Sequence, residues 1–452
     1  MGFLKNIILP VILAIGFYIL YSRWATAKID IPQTGYFGSG EVKNDNMDIK
    51  PFKINVDQKI IDNLKVRLEN ARVSHSPLED SDDFYYGFNS KHLLKIRDYW
   101  LNKYDWRKHE AMLNEFPQFT TEIEGLQIHF LRVNPPKGVY KTVKPILITH
   151  GWPGSIVEFY KFIPILTDPK KFGIESDFAF EVIAPSIPGF GWSEQPKKTG
   201  FSQLACARVF RKLMLRLGFD RFYLHGSNWG FIMSSLIVKV WPENVIAFHY
   251  NSMFVNPGVD LIATFYEVFG TFFPQILSSP NLSKSHNMLQ KWKNIILETG
   301  YMHIQATKPD TVGTSLNDSP LGLAAYIIEK FASWTNHSAR NLPDGGLSQK
   351  FTNDELLTNV MVYWVNGNIV SSQRFYRENF LEPAIDPLLN QYTSIPCGHA
   401  LSLNDLYDLT LIETSRQFYN VTYYKEIDMG HFGAFEQPKE LAKTVFEFVK
   451  GL

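Results

Sequence analysis

An uncharged apolar run from Ile7 to Tyr21 opens the hydrophobic pattern of the chain. At roughly 15 to 20 residues, it lies at the lower limit for a helix that spans a bilayer. One cation precedes the run and two, Arg23 and Lys28, follow it, and this small excess favours a cytoplasmic body. The small residues "ATA" also resemble a signal-peptidase site, although the bulky "SRW" stands before them. We predict that residues 1–27 form a membrane anchor, with a cleavable signal as the alternative.

The next apolar positions follow a helical period and then a strand period. After a polar, glycine-containing linker at "QTGYFGSGEVKNDN", residues 59–114 show the helical spacing seen in "QKIIDNLKVRLENAR". Alternation follows in "FTTEIEGLQIHFLRV", where Glu124 and Gly125 mark the turn of a β-hairpin. These patterns predict a helix-rich N-terminal domain over residues 48–144.

Short apolar runs alternate with helical patterns in the remaining chain. The runs are "PILITHGWPG", "FEVIAPSIPGFGWS", "RFYLHGSNWG" and "VIAFHYNS", and their alternation with helices predicts a mostly parallel sheet. Strand signals disappear over residues 255–385, where "GLAAYIIEKFASW" and "DELLTNVMVYWVNGNIVSSQRFY" indicate helices. They resume at "YTSIP" and "VTYYKEI" before a last helix. We predict an α/β core over 145–254 and 386–452, with a mainly helical lid between its halves.

Composition excludes some classes of function. The 452 residues carry 45 basic and 45 acidic side chains, so no field suited to nucleic acid is expected. Two cysteines, Cys206 and Cys397, exclude a disulfide-dense scaffold. Four glycosylation sequons carry little weight, because chance supplies a few in a chain of this length; they lie at Asn281, Asn317, Asn336 and Asn420.

The stretch "HGSNWG" lies where the predicted strand "RFYL" meets an apolar helical pattern. A nucleophile between two small residues is typical of the strained turn, or elbow, that exposes a reactive side chain. Gly226 and Gly230 flank Asn228 correctly, whereas Ser227 would be flanked by a histidine and a tryptophan. The elbow residue is therefore Asn228, and a carboxamide is not a nucleophile.

Two further motifs supply the groups that act beside such an elbow. "HGWPGS" follows a strand, and it predicts an oxyanion hole made by the backbone N–H groups of Trp152 and Trp229. "DMGHFGAFEQP" places His431 between the last strand and the last helix, the usual position of the general base. Its acidic partner is expected in "SIPCGHALSLNDLYDL", where Asp405 is our choice and Asp408 the alternative.

The motifs together resemble those of microsomal-type epoxide hydrolases, the group that includes the insect juvenile-hormone epoxide hydrolases. The resemblance runs nearly from end to end and includes "SPLEDSDDFYYGFNSKHLLKIRDYW", "THGWPGS", "APSIPGFGWSEQP", "YWVNGNIVSSQRFYREN" and "GHFGAFEQP". It implies an α/β-hydrolase fold with a helical lid, a helix-rich N-terminal domain and an N-terminal anchor in the endoplasmic reticulum membrane.

The resemblance also implies a mechanism. An elbow aspartate attacks one epoxide carbon while two lid tyrosines, matched here by Tyr301 and Tyr376, protonate the epoxide oxygen. Water activated by His431 and oriented through Asp405 then hydrolyses the resulting ester to a vicinal diol. No metal and no cofactor are implied, and the substrate is a small lipophilic epoxide: a xenobiotic oxide, a fatty-acid epoxide or a terpenoid hormone.

The chain departs from the family pattern at two places. Ser402-Leu403 stands where the family has an aromatic-proline pair, so the choice of Asp405 over Asn404 rests on residue count. The larger departure is Asn228, where the family carries aspartate. Loss of a covalent nucleophile costs hydrolases on the order of a million-fold in rate in the strongest cases.

Several hypotheses follow from Asn228. A non-catalytic protein would bind epoxides or related lipids, whereas a latent enzyme would convert its own amide to aspartate with water activated by His431. An otherwise competent enzyme carrying a variant residue would regain turnover on Asn228→Asp. A serine esterase is less favoured, because Ser227 is misplaced in the elbow.

Overall fold

The computed structural model describes residues 29, 31–73, 75–279, 281–282, 286–406 and 410–452. The predicted membrane anchor, residues 1–27, lies outside the described residues. Across these described ranges, no helix has both the length and the apolar character needed to cross a bilayer.

A nine-stranded sheet runs through the described chain. Its strands are Lys50–Phe52 (β1), Gln118–Ile123 (β2), Leu126–Val133 (β3), Thr142–Thr149 (β4), Phe178–Pro185 (β5), Phe222–Gly226 (β6), Val245–Tyr250 (β7), Thr393–Ser402 (β8) and Tyr419–Ile427 (β9). Their order across the sheet is β1-β2-β3-β5-β4-β6-β7-β8-β9. The pairs β4–β5, β4–β6, β6–β7, β7–β8 and β8–β9 are parallel, and the pairs that join β1, β2, β3 and β5 are antiparallel. The prediction of a mostly parallel α/β sheet is confirmed.

Helices cover both faces of the sheet. Along β4, Leu147 packs into one core and its neighbours Ile146 and Ile148 into another, because successive strand side chains point to opposite faces. Helices Gln203–Arg216 and Trp229–Val240 contribute to the first core, and Ile163–Thr167 and Pro438–Lys450 to the second. The sheet is therefore the middle layer of three, with its apolar strands buried on both faces.

The N-terminal region contains the predicted helices and the predicted hairpin. Three helices, Gln58–Glu69, Ser90–Asn102 and Trp106–Leu113, each begin after a residue whose side chain accepts a hydrogen bond from the first turn. Between β2 and β3, Glu124 and Gly125 have φ angles of 55° and 77°. Two consecutive positive φ angles are typical of the tight turn that joins adjacent antiparallel strands.

The segment predicted as a linker is bound to this hairpin. The N–H of Phe37 donates to the Glu124 carbonyl at 2.8 Å, and the Phe37 carbonyl accepts from the N–H of Lys197 at 2.8 Å. The Asp45 carboxylate accepts from the N–H groups of Glu124 and Gly125, each at 2.8 Å. Hydrogen bonds therefore hold this irregular segment against the hairpin.

The described residues between β7 and β8 contain helices and no strand, as predicted. Gly367, with φ 57°, ends one helix and divides the long helical pattern of "DELLTNVMVYWVNGNIVSSQRFY" into two helices. The helices of this insertion are Leu261–Phe272, Met288–Glu298, Gly300–Thr307, Pro309–Asp318, Pro320–Ser333, Asn353–Asn366, Ile369–Leu381 and Ile385–Leu389. Helices Ile412–Phe418 and Gly433–Glu436 follow β8 and β9 respectively.

Contacts join the insertion to the loop after β4. The Tyr363 hydroxyl donates to the Gly154 carbonyl at 2.7 Å, and Asn359 Nδ2 donates to the Pro153 carbonyl at 2.8 Å.

The N-terminal region and the core share one sheet. Strand β3 pairs with β5, so the sheet continues across the predicted division at residue 144. The division of the chain into five domains stays a prediction.

Candidate active site

Asn228 lies at the sharp turn between β6 and the helix Trp229–Val240. Its φ of 54° and ψ of −128° are uncommon for a residue with a side chain and indicate local strain. A Cβ at Gly226 would clash with the Gly230 carbonyl oxygen, and a Cβ at Gly230 would clash with the Thr149 carbonyl oxygen. Only glycines fit this turn, so the backbone presents the side chain of residue 228.

Two backbone N–H groups bind the amide oxygen of Asn228. Oδ1 accepts from the N–H of Trp152 at 2.9 Å and from the N–H of Trp229 at 2.7 Å. These are the donors that the sequence motifs indicated for an oxyanion hole. Oδ1 therefore occupies the position at which two fixed donors would stabilise an oxyanion.

His431 lies between Asn228 and Asp405. Asn228 Nδ2 is 2.9 Å from His431 Nε2, and His431 Nδ1 is 2.8 Å from Asp405 Oδ2. Ser252 Oγ donates to the same carboxylate oxygen at 3.1 Å. The three side chains are buried, with exposed fractions of 8%, 2% and 2% for Asn228, His431 and Asp405. The alternative acid, Asp408, lies outside the described residues.

The charges around His431 favour proton uptake by its imidazole. Burial alone lowers the pKa of His431, but the charge and hydrogen bond of Asp405 raise it above its ordinary value. Burial raises the pKa of Glu158 to about 8, so this nearby carboxyl is mainly protonated at neutral pH. Asp405 therefore stabilises the imidazolium that forms when His431 takes a proton.

The two predicted tyrosines meet at Trp152. Tyr301 lies on the helix Gly300–Thr307 and Tyr376 on the helix Ile369–Leu381. The Trp152 ring stacks on Tyr301, with centroids 5.1 Å apart, and meets Tyr376 edge-on at 5.7 Å. The two tyrosine rings are 6.0 Å apart. Both phenols thus lie beside the residue whose N–H binds Asn228.

Two groups that the motifs did not identify hold the His431 loop, and a third, Ser252, binds Asp405. Glu436 accepts hydrogen bonds from the N–H groups of Gly430 and Phe432, at 2.9 and 3.0 Å. It therefore binds the backbone of the loop on both sides of His431. The N–H of His431 donates to the Trp334 carbonyl at 3.0 Å. Glu436 belongs to the quoted "GHFGAFEQP", whereas no local pattern connects Trp334 or Ser252 to this site.

Ser227 is not directed at the histidine. Asn251 Nδ2 donates to Ser227 Oγ at 3.4 Å, while His431 Nε2 faces Asn228.

Within the described residues, no group of three or more His, Cys, Asp or Glu side chains is arranged to hold a metal ion.

Family comparisons agree with this geometry. A family model described as the epoxide hydrolase N terminus matches residues 49–159, and one described as the alpha/beta hydrolase fold matches residues 144–404. Epoxide hydrolase 1 of Sus scrofa is 44% identical over 424 residues, which are 92% of each chain. The chain belongs to the epoxide hydrolase family. This membership confirms the resemblance inferred from the motifs.

Other members of the epoxide hydrolase family extend the likeness. Juvenile hormone epoxide hydrolase 1 of Ctenocephalides felis is 41% identical over 427 residues, covering 94% of this chain and 90% of that one. The crystal structure of juvenile hormone epoxide hydrolase from the silkworm Bombyx mori matches with a TM-score of 0.86 at 38% identity. It covers 93% of this chain and 99% of that chain. The α/β-hydrolase fold of this epoxide hydrolase family member is therefore shown over nearly its whole length.

Proposed function

We propose that this chain has the site of an enzyme that hydrolyses lipophilic epoxides to vicinal diols, but that turnover is severely reduced or absent while residue 228 is asparagine. The contacts of Asn228 with two N–H donors and with His431 carry this proposal. The amide nitrogen lone pair is delocalised and the amide oxygen has only a partial charge, so neither attacks an epoxide carbon well. A loss on the order of a million-fold relative to a carboxylate is expected.

Each remaining residue has a role in the proposed reaction. Tyr301 and Tyr376 protonate the epoxide oxygen, since an alkoxide is far more basic than a phenolate. His431 removes a proton from water, and Asp405 orients and stabilises the imidazole. The N–H groups of Trp152 and Trp229 hold the oxyanion when water attacks the ester. This chemistry needs neither a metal nor an organic cofactor.

The same contacts support a latent form of the enzyme. In it, His431 takes a proton from water, and the hydroxide attacks Asn228 Cγ while the oxyanion forms beside the N–H of Trp152 and of Trp229. His431 then returns the proton to Nδ2, which is 2.9 Å from Nε2. The C–N bond breaks, ammonia leaves and an aspartate remains at residue 228.

An assay of the chain and of Asn228→Asp tests this proposal, with an aromatic, a fatty-acid and a terpenoid epoxide as substrates. We expect immediate diol formation by Asn228→Asp and little by fresh protein whose peptide mass shows asparagine. In the latent form, diol formation rises with time as the residue-228 peptide gains the amide-to-acid mass difference. His431→Gln in the Asn228 protein is the control, because it removes the base and should abolish that mass change.

The alternative is a non-catalytic protein that binds epoxides or related lipids. The buried aromatic rings around Trp152, among them Tyr301, Tyr376 and Trp334, favour such a ligand. Saturable epoxide binding together with an inactive Asn228→Asp variant would support this alternative. Steady diol formation by protein with a confirmed Asn228 would rule out both the binding protein and the need for an aspartate.

We also propose that residues 1–27 anchor the chain in the endoplasmic reticulum membrane, with the body in the cytoplasm. The apolar run and its flanking cations support this placement. The sequons at Asn281 and Asn317 provide a test, since both residues are exposed. A cytoplasmic body keeps its gel mobility on endoglycosidase treatment and stays with the membrane in alkaline carbonate. A mobility shift would place the body in the lumen.

A further inference from the structure

Lys330 is a nearly buried cation directly beside Tyr301. Its ammonium lies 4.8 Å from the centroid of the Tyr301 ring, and its side chain is 10% exposed. Lys330 lies on the helix Pro320–Ser333, whereas Tyr301 lies on the helix Gly300–Thr307. The contact therefore depends on the packing of two separate helices of the insertion. None of the roles assigned above accounts for a lysine here.

A cavity of about 330 Å³ adjoins this pair. Tyr301, Lys330, Glu298 and Arg340 line it together with the loop that carries Tyr85. Glu298 is paired with Arg340 at 2.9 Å, and Lys330 is paired with Glu329. Ser333 Oγ also donates to Glu329 Oε1 at 2.7 Å, which holds this carboxylate beside its own helix. Lys330 is thus the cation that lies over the phenol ring, while Arg340 is engaged by Glu298.

The position of the ammonium has a chemical consequence. When a tyrosine donates its proton to an epoxide oxygen, its ring acquires negative charge. A cation over the ring attracts the neutral π-face weakly and a phenolate much more strongly. The stabilisation is large where water is scarce, and both side chains are buried.

The neighbouring carboxylate of Glu329 also acts on a second phenol, that of Tyr326. Burial raises the pKa of Tyr326, and the nearby Tyr301 and Glu329 raise it further. The Lys330–Glu329 pair thus places its ammonium over the Tyr301 ring, while its carboxylate opposes ionisation of Tyr326. Among the described residues, the further titratable groups that line this cavity or contact Tyr301 are Glu298, Arg340, Tyr85, Tyr86 and Tyr376.

We propose that Lys330 is a positioning residue that assists proton donation by Tyr301, because its ammonium stabilises the charge that the phenol acquires during epoxide opening. The proposal rests on the proposed function in that Tyr301 is taken as the group that contacts the epoxide. It adds a residue whose effect is exerted through Tyr301 rather than on the substrate.

Fluorine NMR on the full chain with 3-fluorotyrosine at residue 301 tests the electrostatic claim without any turnover. Fluorination makes the phenol more acidic, which brings its titration into a range where the protein is folded. We expect Lys330→Met to raise the pH at which this group loses its proton by about one pH unit. A shift of this order is expected for a unit charge 4.8 Å from the ring centroid when Glu329 offsets part of its electrostatic effect.

Three variants make the comparison specific. Lys330→Arg keeps the charge and should restore most of the original titration. Arg340→Met removes the other cation of the same cavity and should shift the titration much less, because the Arg340 guanidinium lies over the Tyr85 ring, 5.6 Å from its centroid, and not over Tyr301. Lys330→Gln replaces the methionine variant if the latter folds poorly. An unchanged titration in the charge-removing variants would overturn the proposal.

Kinetics in the Asn228→Asp background provide the second readout. We expect Lys330→Met to slow ester formation in single turnovers by about tenfold with little change in KM, and Lys330→Arg to recover the rate. Equal rates in the presence and absence of the ammonium would contradict the proposal. Absence of turnover in Asn228→Asp itself would reject the proposed function, while the NMR titration would still decide the claim about Lys330.

Discussion

The amide of Asn228 determines where protons lie in the site. Its oxygen accepts two N–H groups, so its nitrogen must be the donor to His431 Nε2. Nε2 therefore carries a lone pair, and the proton of the neutral imidazole lies on Nδ1, facing Asp405. In an imidazolium, the Nε2–H of His431 would face the N–H of the Asn228 amide, so that two donors would meet. A carboxylate at residue 228 would instead accept a hydrogen bond from Nε2–H. A single exchange of NH₂ for O⁻ thus changes both the nucleophile and the preferred charge of the base.

His431→Gln in the Asn228→Asp background is expected to separate the two halves of the reaction. Ester formation needs the carboxylate and the tyrosines, whereas ester hydrolysis needs the base. We expect the ester to accumulate, seen as a substrate adduct in intact-protein mass, with hydrolysis slowed by about 10²–10⁴-fold. Asn228→Asp with His431 intact is the control and should show at most a transient adduct. Undiminished hydrolysis would mean that another group activates water.

A buried carboxylate, Glu124, connects the turn of the β2–β3 hairpin to the helix Gln203–Arg216. Glu124 is 3% exposed and binds Arg208 Nε and Nη2 at 2.7 and 2.8 Å, while Lys212 Nζ lies 2.8 Å from Oε1. Burial alone raises the pKa of Glu124, but these two cations lower it below its ordinary value. Because Asp45 binds the backbone of the same turn, one residue connects hairpin, N-terminal segment and helix Gln203–Arg216.

Glu124→Ala should lower the free energy of unfolding by about 3–5 kcal/mol, because it leaves the buried Arg208 without its anion. Lys212→Met is the matched control. Lys212 has a side chain 28% exposed, and its removal leaves the Glu124–Arg208 pair intact, so a loss below about 1 kcal/mol is expected. Urea unfolding of the two variants measures both values. Equal losses would show that the pair with Arg208 is not what holds the turn.

Several buried histidines lie on or beside the sheet of the whole molecule. Burial lowers the pKa of His129 and of His225 to about 3 and that of His150 to about 4. The pKa of His249 is also lowered, by burial and by the neighbouring His225, whose Nδ1 is 3.0 Å from His249 Nδ1. These side chains are neutral in the folded protein and gain protons readily only when the chain unfolds.

The molecule should therefore lose stability in mild acid. Below about pH 6.5 the unfolded chain binds protons that the fold excludes, so stability is complete above that pH and falls towards pH 4. The slope is up to about 1.4 kcal/mol per pH unit for each such histidine, and His431, with its raised pKa, acts in the opposite direction. Urea unfolding at pH 7, 6 and 5 measures the slope. His129→Gln should flatten it, and a flat wild-type profile would refute the expectation.

Sequence patterns predicted much of the fold and of the candidate site for local reasons. Periodicity identified the strands and helices, and glycine spacing identified residue 228 as the elbow because only glycines fit so tight a turn. The docking of the "linker" at Phe37 and Asp45 escaped prediction, since a glycine-rich polar segment has the same composition whether free or bound. Ser252 and Trp334 escaped it too, because their contacts with Asp405 and His431 join residues far apart along the chain.

The chain alone was thus sufficient for element types, for the family and for the one functional group in doubt, because each depends on residue identity or short-range spacing. Tertiary structure decided what the amide of Asn228 touches, how the Glu436 carboxylate grips the His431 loop and which cation lies over Tyr301. Those relations arise between elements separated by long stretches of chain. Their energies depend on burial and on distances of a few ångströms, which no local pattern encodes.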